Sequence, residues 1–325
     1  RGDWEVPDRV LLVYTPTWPR TLTTIAEQVM SSGATVVMLP EHDYPRRQAE
    51  RLVQEILRRH DPAAGGNIEL FDGSVDTPWV RDWGPVQLRQ VRQDQQSPQT
   101  LWLDASYDDD DRRRDDGAPL WLGQHYRTTV ETLPWALDGG AFISNGAGLC
   151  MLSLDYLDLE GLRWDDAEVE QLLGQLGCRA TALIPTLLGE ETKHADMIAQ
   201  FVSPTRVMVA AVDPDADIDG AEDESLRLDM AVLGLRRAAR RLDLELEVIR
   251  VPTPAIGEGP ARSFVNGLHL EDRYLMPTYP KLGAAAALAG EAVQQALGDT
   301  PVVAVDASEL ILAGGALHCA ALGIF

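Results

Sequence analysis

A cysteine, a histidine and two aspartates, spread over three distant segments, are the side chains here best suited to chemistry. Cys319 closes Ala313-Gly314-Gly315-Ala316-Leu317-His318-Cys319, and His194 and Asp196 sit in Lys193-His194-Ala195-Asp196. Asp82 belongs to Trp79-Val80-Arg81-Asp82-Trp83-Gly84-Pro85. One thiol, one imidazole and two carboxylates form the set needed to attack a guanidinium carbon. A guanidinium stays charged up to pH about 12 and presents five N–H donors, so a neutral pocket leaves it unsatisfied. Two carboxylates can hold its edges while a thiolate attacks the carbon and an imidazole moves protons.

Each residue also has a plainer reading. Cys319 alone is a buried cysteine of a C-terminal strand, and a free thiol with a pKa near about 8.5 needs a positive neighbour or a cationic substrate to ionise. His194 and Asp196, two apart on an extended segment, face the same side, yet a surface His-x-Asp is common. Asp82 precedes the turn signal Gly84-Pro85, which places it at the end of a strand; its plainer reading is a turn aspartate paired with Arg81. His318 would point away from Cys319 in a strand and reads as structural.

The segments resemble the bacterial agmatine deiminase and peptidylarginine deiminase family, part of the guanidino-modifying pentein superfamily. Residues 79–85 are similar to its Trp-x-Arg-Asp-x-Gly-Pro, and Asp138-Gly139-Gly140 to its acidic-Gly-Gly, followed by Gly146-Ala147-Gly148. His194-Ala195-Asp196 matches His-x-Asp, Ser263-Phe264-Val265-Asn266 matches Ser-aromatic-x-Asn, and the segment ending in Cys319 matches Gly-Gly-x-x-x-His-Cys. The markers keep the family order from residue 79 to 319, with a weaker match at Thr17-Trp18-Pro19.

The resemblance implies a reaction: hydrolysis of a guanidino group to a ureido group plus ammonia through a thiouronium on Cys319. It implies no metal and no organic cofactor, and the histidines and cysteines show no zinc-ligand spacing. His194 would be general acid and then base, Asp82 and Asp196 would clamp the guanidinium, and Trp79, beside Arg81, would offer an aromatic wall. Asp138 stands where the family usually has a glutamate that orients the histidine, and is one methylene shorter. Asn266 reads equally as site lining or as a strand-edge polar residue. Ala141 and Ala316 replace asparagines frequent after the family's glycine pairs, so substrate contacts are expected to differ.

Asp104-Ala105-Ser106-Tyr107 and Arg112 to Arg114 fall near where the peptidylarginine branch holds a C-terminal arginine carboxylate. Arg112 and Arg114 are therefore candidate substrate contacts, and the reading leans toward a peptidyl-arginine or arginine substrate. Agmatine, giving N-carbamoylputrescine, is the alternative. An amidinotransferase and a non-enzymatic binding protein of the same fold are further alternatives; retention of the thiol, imidazole and acids weighs against the last.

Elements must carry these groups. Strands are expected at Val10–Tyr14 and Thr35–Leu39, helices over 21–31 and 45–60, and then the strand bearing Asp82. Later helices are expected over 165–176, 223–242 and 283–297, with a strand at Val302–Val305. Residues 104–119 and 213–224 read as acidic loops, the first a candidate lid. Alternating elements at intervals of roughly fifty to seventy residues argue α/β. Pattern alone points to a doubly wound sheet; the resemblance implies a five-bladed pseudosymmetric α/β propeller of ββαβ-like units. No linker divides the composition, so a single domain over 1–325 is expected.

The chain has 325 residues, 45% hydrophobic, and a formal net charge of −23. That charge argues against nucleic acid, whose phosphates demand a basic face, and suits a small cationic guanidino substrate or an arginine-containing peptide. No apolar run approaches the roughly 20 residues of a membrane span. Cys150 and Cys178 are expected to be packed as small hydrophobes with reduced thiols, which with no visible signal segment reads as cytoplasmic. The sequence does not set an oligomeric state.

Overall fold

A computed structural model describes residues 1–61, 63, 65–90, 98–107, 111–163, 165–257 and 259–325. These residues divide into two compact units. The first comprises Arg1, Val6–Gly139 and Cys319–Phe325; the second comprises Gly2–Glu5 and Gly140–His318.

In the first unit the chain runs through β1 (Arg9–Tyr14), α1 (Pro19–Ser31), β2 (Thr35–Pro40), α2 (Arg46–Arg59), β3 (Asn67–Leu70) and α3 (Val80–Trp83). It continues through β4 (Val86–Gln90), β5 (Gln99–Ser106), α4 (Arg113–Asp116), α5 (Ala118–Tyr126) and β6 (Thr129–Ala136). The second unit holds β7 (Phe142–Ser144), β8 (Leu149–Ser153), α6 (Leu154–Leu159), α7 (Ala167–Gln175), β9 (Ala180–Ile184), β10 (Ala199–Ser203) and β11 (Arg206–Ala211). Then follow α8 (Ala221–Arg240), β12 (Glu247–Pro252), β13 (Leu268–His269), β14 (Tyr274–Thr278), α9 (Gly283–Leu297), β15 (Val302–Asp306) and α10 (Ser308–Ile311). The last strand, β16 (Leu322–Ile324), belongs to the first unit.

The described strands form five small sheets, ordered β16-β1-β2-β3, β4-β5-β6, β7-β8-β9, β10-β11-β12 and β13-β14-β15. Each repeats one device: an antiparallel pair, then a crossover through helix to a parallel neighbour. A parallel partner requires such a crossover, whereas an antiparallel one needs only a turn. Four of these units open at residues 86, 142, 199 and 268, which gives the expected repeat length. Alternating elements therefore do not build the doubly wound sheet that pattern alone favours; the sheets are separate and small.

Local chemistry explains the elements. β1 reads Arg-Val-Leu-Leu-Val-Tyr and is buried from Val10 onward, as a strand covered on both faces should be. In α1, Pro19 occupies a first-turn position where its missing N–H costs nothing, and Leu22, Ile25, Ala26, Val29 and Met30 form the buried stripe. The first unit's core gathers Leu11, Val37, Val80, Trp83, Trp102 and Leu122.

Three expectations are corrected. Asp82 is on the single helical turn α3, not a strand. The segment 104–119 is not a loop, because its described residues include the end of β5, α4 and the start of α5; Asp108, Asp109 and Asp110 of its acidic run lie outside the described residues. Buried Asp115 accepts the backbone N–H groups of Asp76 and Thr77 and the Thr77 hydroxyl, and Asp116 accepts the Tyr107 N–H. Those acids are fasteners rather than solvated charge. Finally, Cys150 and Cys178 form a disulfide. Cys150 lies in β8 opposite Thr181 of β9, and Cys178 just precedes β9, so parallel pairing brings the two Cα atoms to 5.8 Å.

Candidate active site

In the first unit, the turn that carries Cys319 is tied to the helix that carries Asp82. The Arg81 backbone N–H donates to the Cys319 carbonyl at 3.2 Å, and the Arg81 guanidinium donates to the Ala321 carbonyl at 3.3 Å. Arg81 thus fastens the C-terminal segment. Cys319 is a buried cysteine outside the disulfide, and Asp82 is buried as well. Residues 317–320 form a turn before β16, so the C-terminal strand reading of Cys319 and His318 does not hold.

The glycines around α3 allow this closeness. A Cβ on Gly139 would lie 2.0 Å from the Arg81 carbonyl oxygen, and one on Gly84 would lie 2.3 Å from a Leu322 methyl. Asp138 follows β6 and leads into the short 3-10 turn Gly139–Ala141. Trp79 packs against Trp18 with ring centroids 5.3 Å apart, giving the weak early motif a structural role.

Tyr107, which the sequence marks only as part of the segment 104–107 near the candidate substrate arginines, joins this group. Its hydroxyl is held far above the ordinary tyrosine range, first by burial and then by the Asp82 and Asp138 charges, so it stays protonated. Arg112 donates to the Tyr107 hydroxyl and lies over its ring, guanidinium carbon to centroid 5.3 Å. Arg114 is engaged elsewhere. Its backbone and guanidinium both bond the Asp76 carboxylate at 2.7 Å.

In the second unit, His194 and Asp196 are both almost fully buried. They are not on one extended segment. His194 has extended backbone, φ −85° and ψ 138°, and leads into the 3-10 turn Ala195–Met197 that bears Asp196. Glu190 shapes the approach, its carboxylate accepting the N–H groups of His194 and Thr192 and the Thr192 hydroxyl. A glutamate four residues before the histidine is the signal that could have marked it. The Tyr156 ring lies 6.0 Å from His194, centroid to centroid.

Asn266, fully buried, works on backbone. Its Nδ2 donates to the Asp196 carbonyl at 3.2 Å, and its Oδ1 accepts the His318 N–H at 3.0 Å. His318 Nδ1 lies 2.7 Å from Asp196 Oδ2. A cavity of about 400 Å³ in this unit is lined by Glu190, Glu191, Met197, Ala261, Ile311 and Gly314. Among the described residues, no three His, Cys, Asp or Glu side chains are grouped as a metal ion would need.

The family model for Porphyromonas-type peptidyl-arginine deiminases matches residues 3–324, across both units. The agmatine deiminase of Pseudomonas aeruginosa is 25% identical over 288 residues, covering 78% of this chain and 76% of the relative. Among solved structures, the agmatine deiminase of Enterococcus faecalis superposes with a TM-score of 0.78 at 18% identity, covering 99% of this chain and 94% of that one. The C. jejuni agmatine deiminase gives 0.77 at 15% identity, with 100% and 95% covered.

Proposed function

The chain belongs to the Porphyromonas-type peptidyl-arginine deiminase family, and on that premise we propose that it hydrolyses a guanidino group to a ureido group and ammonia. The observation that carries this reading is the Arg81 N–H bond to the Cys319 carbonyl, which ties the nucleophile's turn to the helix bearing Asp82. Asp82 and Asp196 neutralise the guanidinium, and His194 is the proton carrier. Asp138 orients the reacting groups, and Trp79 walls the guanidinium plane. The thiolate of Cys319 adds to the guanidinium carbon; the carbon–nitrogen bond then breaks as His194 protonates the departing ammonia, leaving a thiouronium. Water attacks that carbon, giving its proton to His194. The carbon–sulfur bond breaks, and the ureido product leaves with the thiolate restored.

For the rest of the substrate we favour a small one with a cationic far end, as in agmatine. The walls of the cavity beside the His194 loop include Glu190 and Glu191 and no described basic side chain, which suits an amine. The agmatine deiminases among its relatives support the same choice. A C-terminal arginine peptide is the second reading, and Arg112 favours it, because its Tyr107 partner lies in the field of Asp82 and Asp138. We further propose that the five ββαβ units are blades of one five-bladed propeller serving a single deiminase domain over 1–325, a reading supported by the repeated sheet order and by the family match running across both units.

The test is ureido-product formation from agmatine, free arginine and a C-terminal-arginine peptide, beside Cys319→Ala. Product from agmatine that vanishes in the variant is expected. Equal product in the variant, or no product from any of the three, would refute the reading.

A further inference from the structure

His318 precedes the nucleophile but takes no part in the chemistry above, and its surroundings are unusual for a structural histidine. It is 3% exposed, and its Nδ1 meets Asp196 Oδ2 at 2.7 Å while Nε2 lies 3.9 Å from Asp3 Oδ1. Asp3 reaches it through the N-terminal segment. That segment is fixed by the Asp3 N–H to Ser144 carbonyl bond at 3.2 Å, the Trp4 Nε1 to Asn145 carbonyl bond at 3.0 Å, and a Gly2–Asn145 bridge. Buried His269 belongs to the same unit and feels the His318 charge: it is held down at about 3, first by burial and then by His318, and is therefore neutral. Asn266 grips the same pair from the backbone side, one amide serving both His318 and Asp196.

We propose that His318 is the positioning residue for Asp196: its Nδ1–H fixes the Asp196 carboxylate through Oδ2, so that the guanidinium is met through Oδ1. This rests on the deiminase reading, in which Asp196 is a clamp. Four anchors define the clamp: the His318 ring, the His318 backbone, Asn266 and the 3-10 turn at Asp196. Fixing a carboxylate before the substrate arrives lowers the ordering cost of binding it, and a buried hydrogen bond to a charged group is among the stronger ones. Asp3 is a second acidic neighbour on the Nε2 side, at 3.9 Å.

Two variants separate positioning from mere packing. In His318→Leu the donor is lost, and kcat/KM on the accepted guanidino substrate falls by roughly 10- to 150-fold, carried mainly by a rise in KM. In His318→Asn the side-chain amide can stand in for Nδ1–H, and most of that loss is recovered. A purely structural role would instead lower the active fraction, with kcat falling at unchanged KM and Asn no better than Leu; that pattern overturns the proposal, as does a wild-type KM in His318→Leu. Proton NMR of the intact chain provides an arm independent of turnover. A slowly exchanging imidazole N–H resonance, assigned by its loss in His318→Asn, is expected to shift or vanish in Asp196→Asn. An unchanged resonance overturns the contact itself. A wild-type chain without deiminase activity overturns the role together with the reading it rests on, and the NMR result then shows separately whether the bond exists.

Discussion

Gly139→Ala is the smallest change expected to disable the site. The added Cβ would stand 2.0 Å from the Arg81 carbonyl oxygen, more than 1 Å inside the roughly 3.3 Å at which carbon and carbonyl oxygen normally meet. Both partners are backbone, so no rotamer relieves the clash; α3 must move, or the turn after Asp138 must. Overpacking of this kind costs about 1–3 kcal/mol. The same residue whose carbonyl is struck holds the Cys319 carbonyl through its N–H. A displacement near 1 Å therefore reaches Asp82 and Cys319 together, and misplacement on that scale costs on the order of 100-fold in rate. Steady-state deimination by Gly139→Ala is expected to show kcat/KM down by about that factor, with the chain still folded by circular dichroism. Gly283→Ala is the control: it opens α9 with nothing within 4 Å of its Cβ, so activity should be unchanged and stability equal or up to about 1 kcal/mol higher. Wild-type kcat/KM in Gly139→Ala would refute the reasoning, because the close approach would then have no bearing on the reacting groups.

Titration of unfolded, unreduced chain with a thiol reagent should find one thiol, Cys319; three would contradict the Cys150–Cys178 bond. Because the bridge closes a loop of 28 residues, replacing both cysteines by alanine should cost the second unit about 3.6 kcal/mol on the chain-entropy model, measured by urea unfolding; a loss under about 1 kcal/mol would exclude that account. Asp104 and Asp115 in the first unit are each held up at about 6, chiefly by burial. The folded state keeps protons that an unfolded carboxyl has released, so this unit loses stability as pH rises from about 4 to about 6, at most roughly 2–3 kcal/mol per group. Asp104→Asn should accordingly stabilise at pH 7.5 with a benefit that fades by pH 4.5; an equal effect at both would refute the assignment. His269, held at about 3 by burial and then His318, acts in the opposite sense. The unfolded imidazole gains a proton below about 6.5 and the folded one does not, so the second unit weakens as pH falls from about 6.5 toward 3. His269→Asn should flatten that slope in acid unfolding curves.

The sequence displays what is local. The unbroken apolar run of β1, the stripe of α1 and the alanine-rich α9 are each set by neighbours within a few residues, and their bounds are close to those expected. Asp82 was misplaced because Val80–Trp83 is one helical turn, too short for any period to show beside a Gly-Pro signal. The acidic stretch around Asp115 resembled solvated charge because its backbone donors, at Asp76 and Thr77, lie nearly forty residues away. The disulfide follows from the register of β8 against β9, which no local pattern encodes. In the candidate site, the reactive types were legible from the motifs; Trp18 and Tyr107 lay in marked segments, but their supporting contacts, and Glu190 altogether, were not legible. Supports act through hydrogen bonds and packing, and such roles leave little trace in residue type alone.

The first sheet is assembled from opposite ends of the chain, β16 lying against β1 in register Leu322 with Leu11 and Ile324 with Arg9. Most of the second unit is one continuous stretch, whereas the first waits for residues 319–325. Without β16, β1 would present an open strand edge, and the pairing of Leu322–Ile324 seals it. The same handful of residues delivers the thiol. Sealing of that edge and placement of the thiol beside α3 therefore depend on one short segment, residues 319–325.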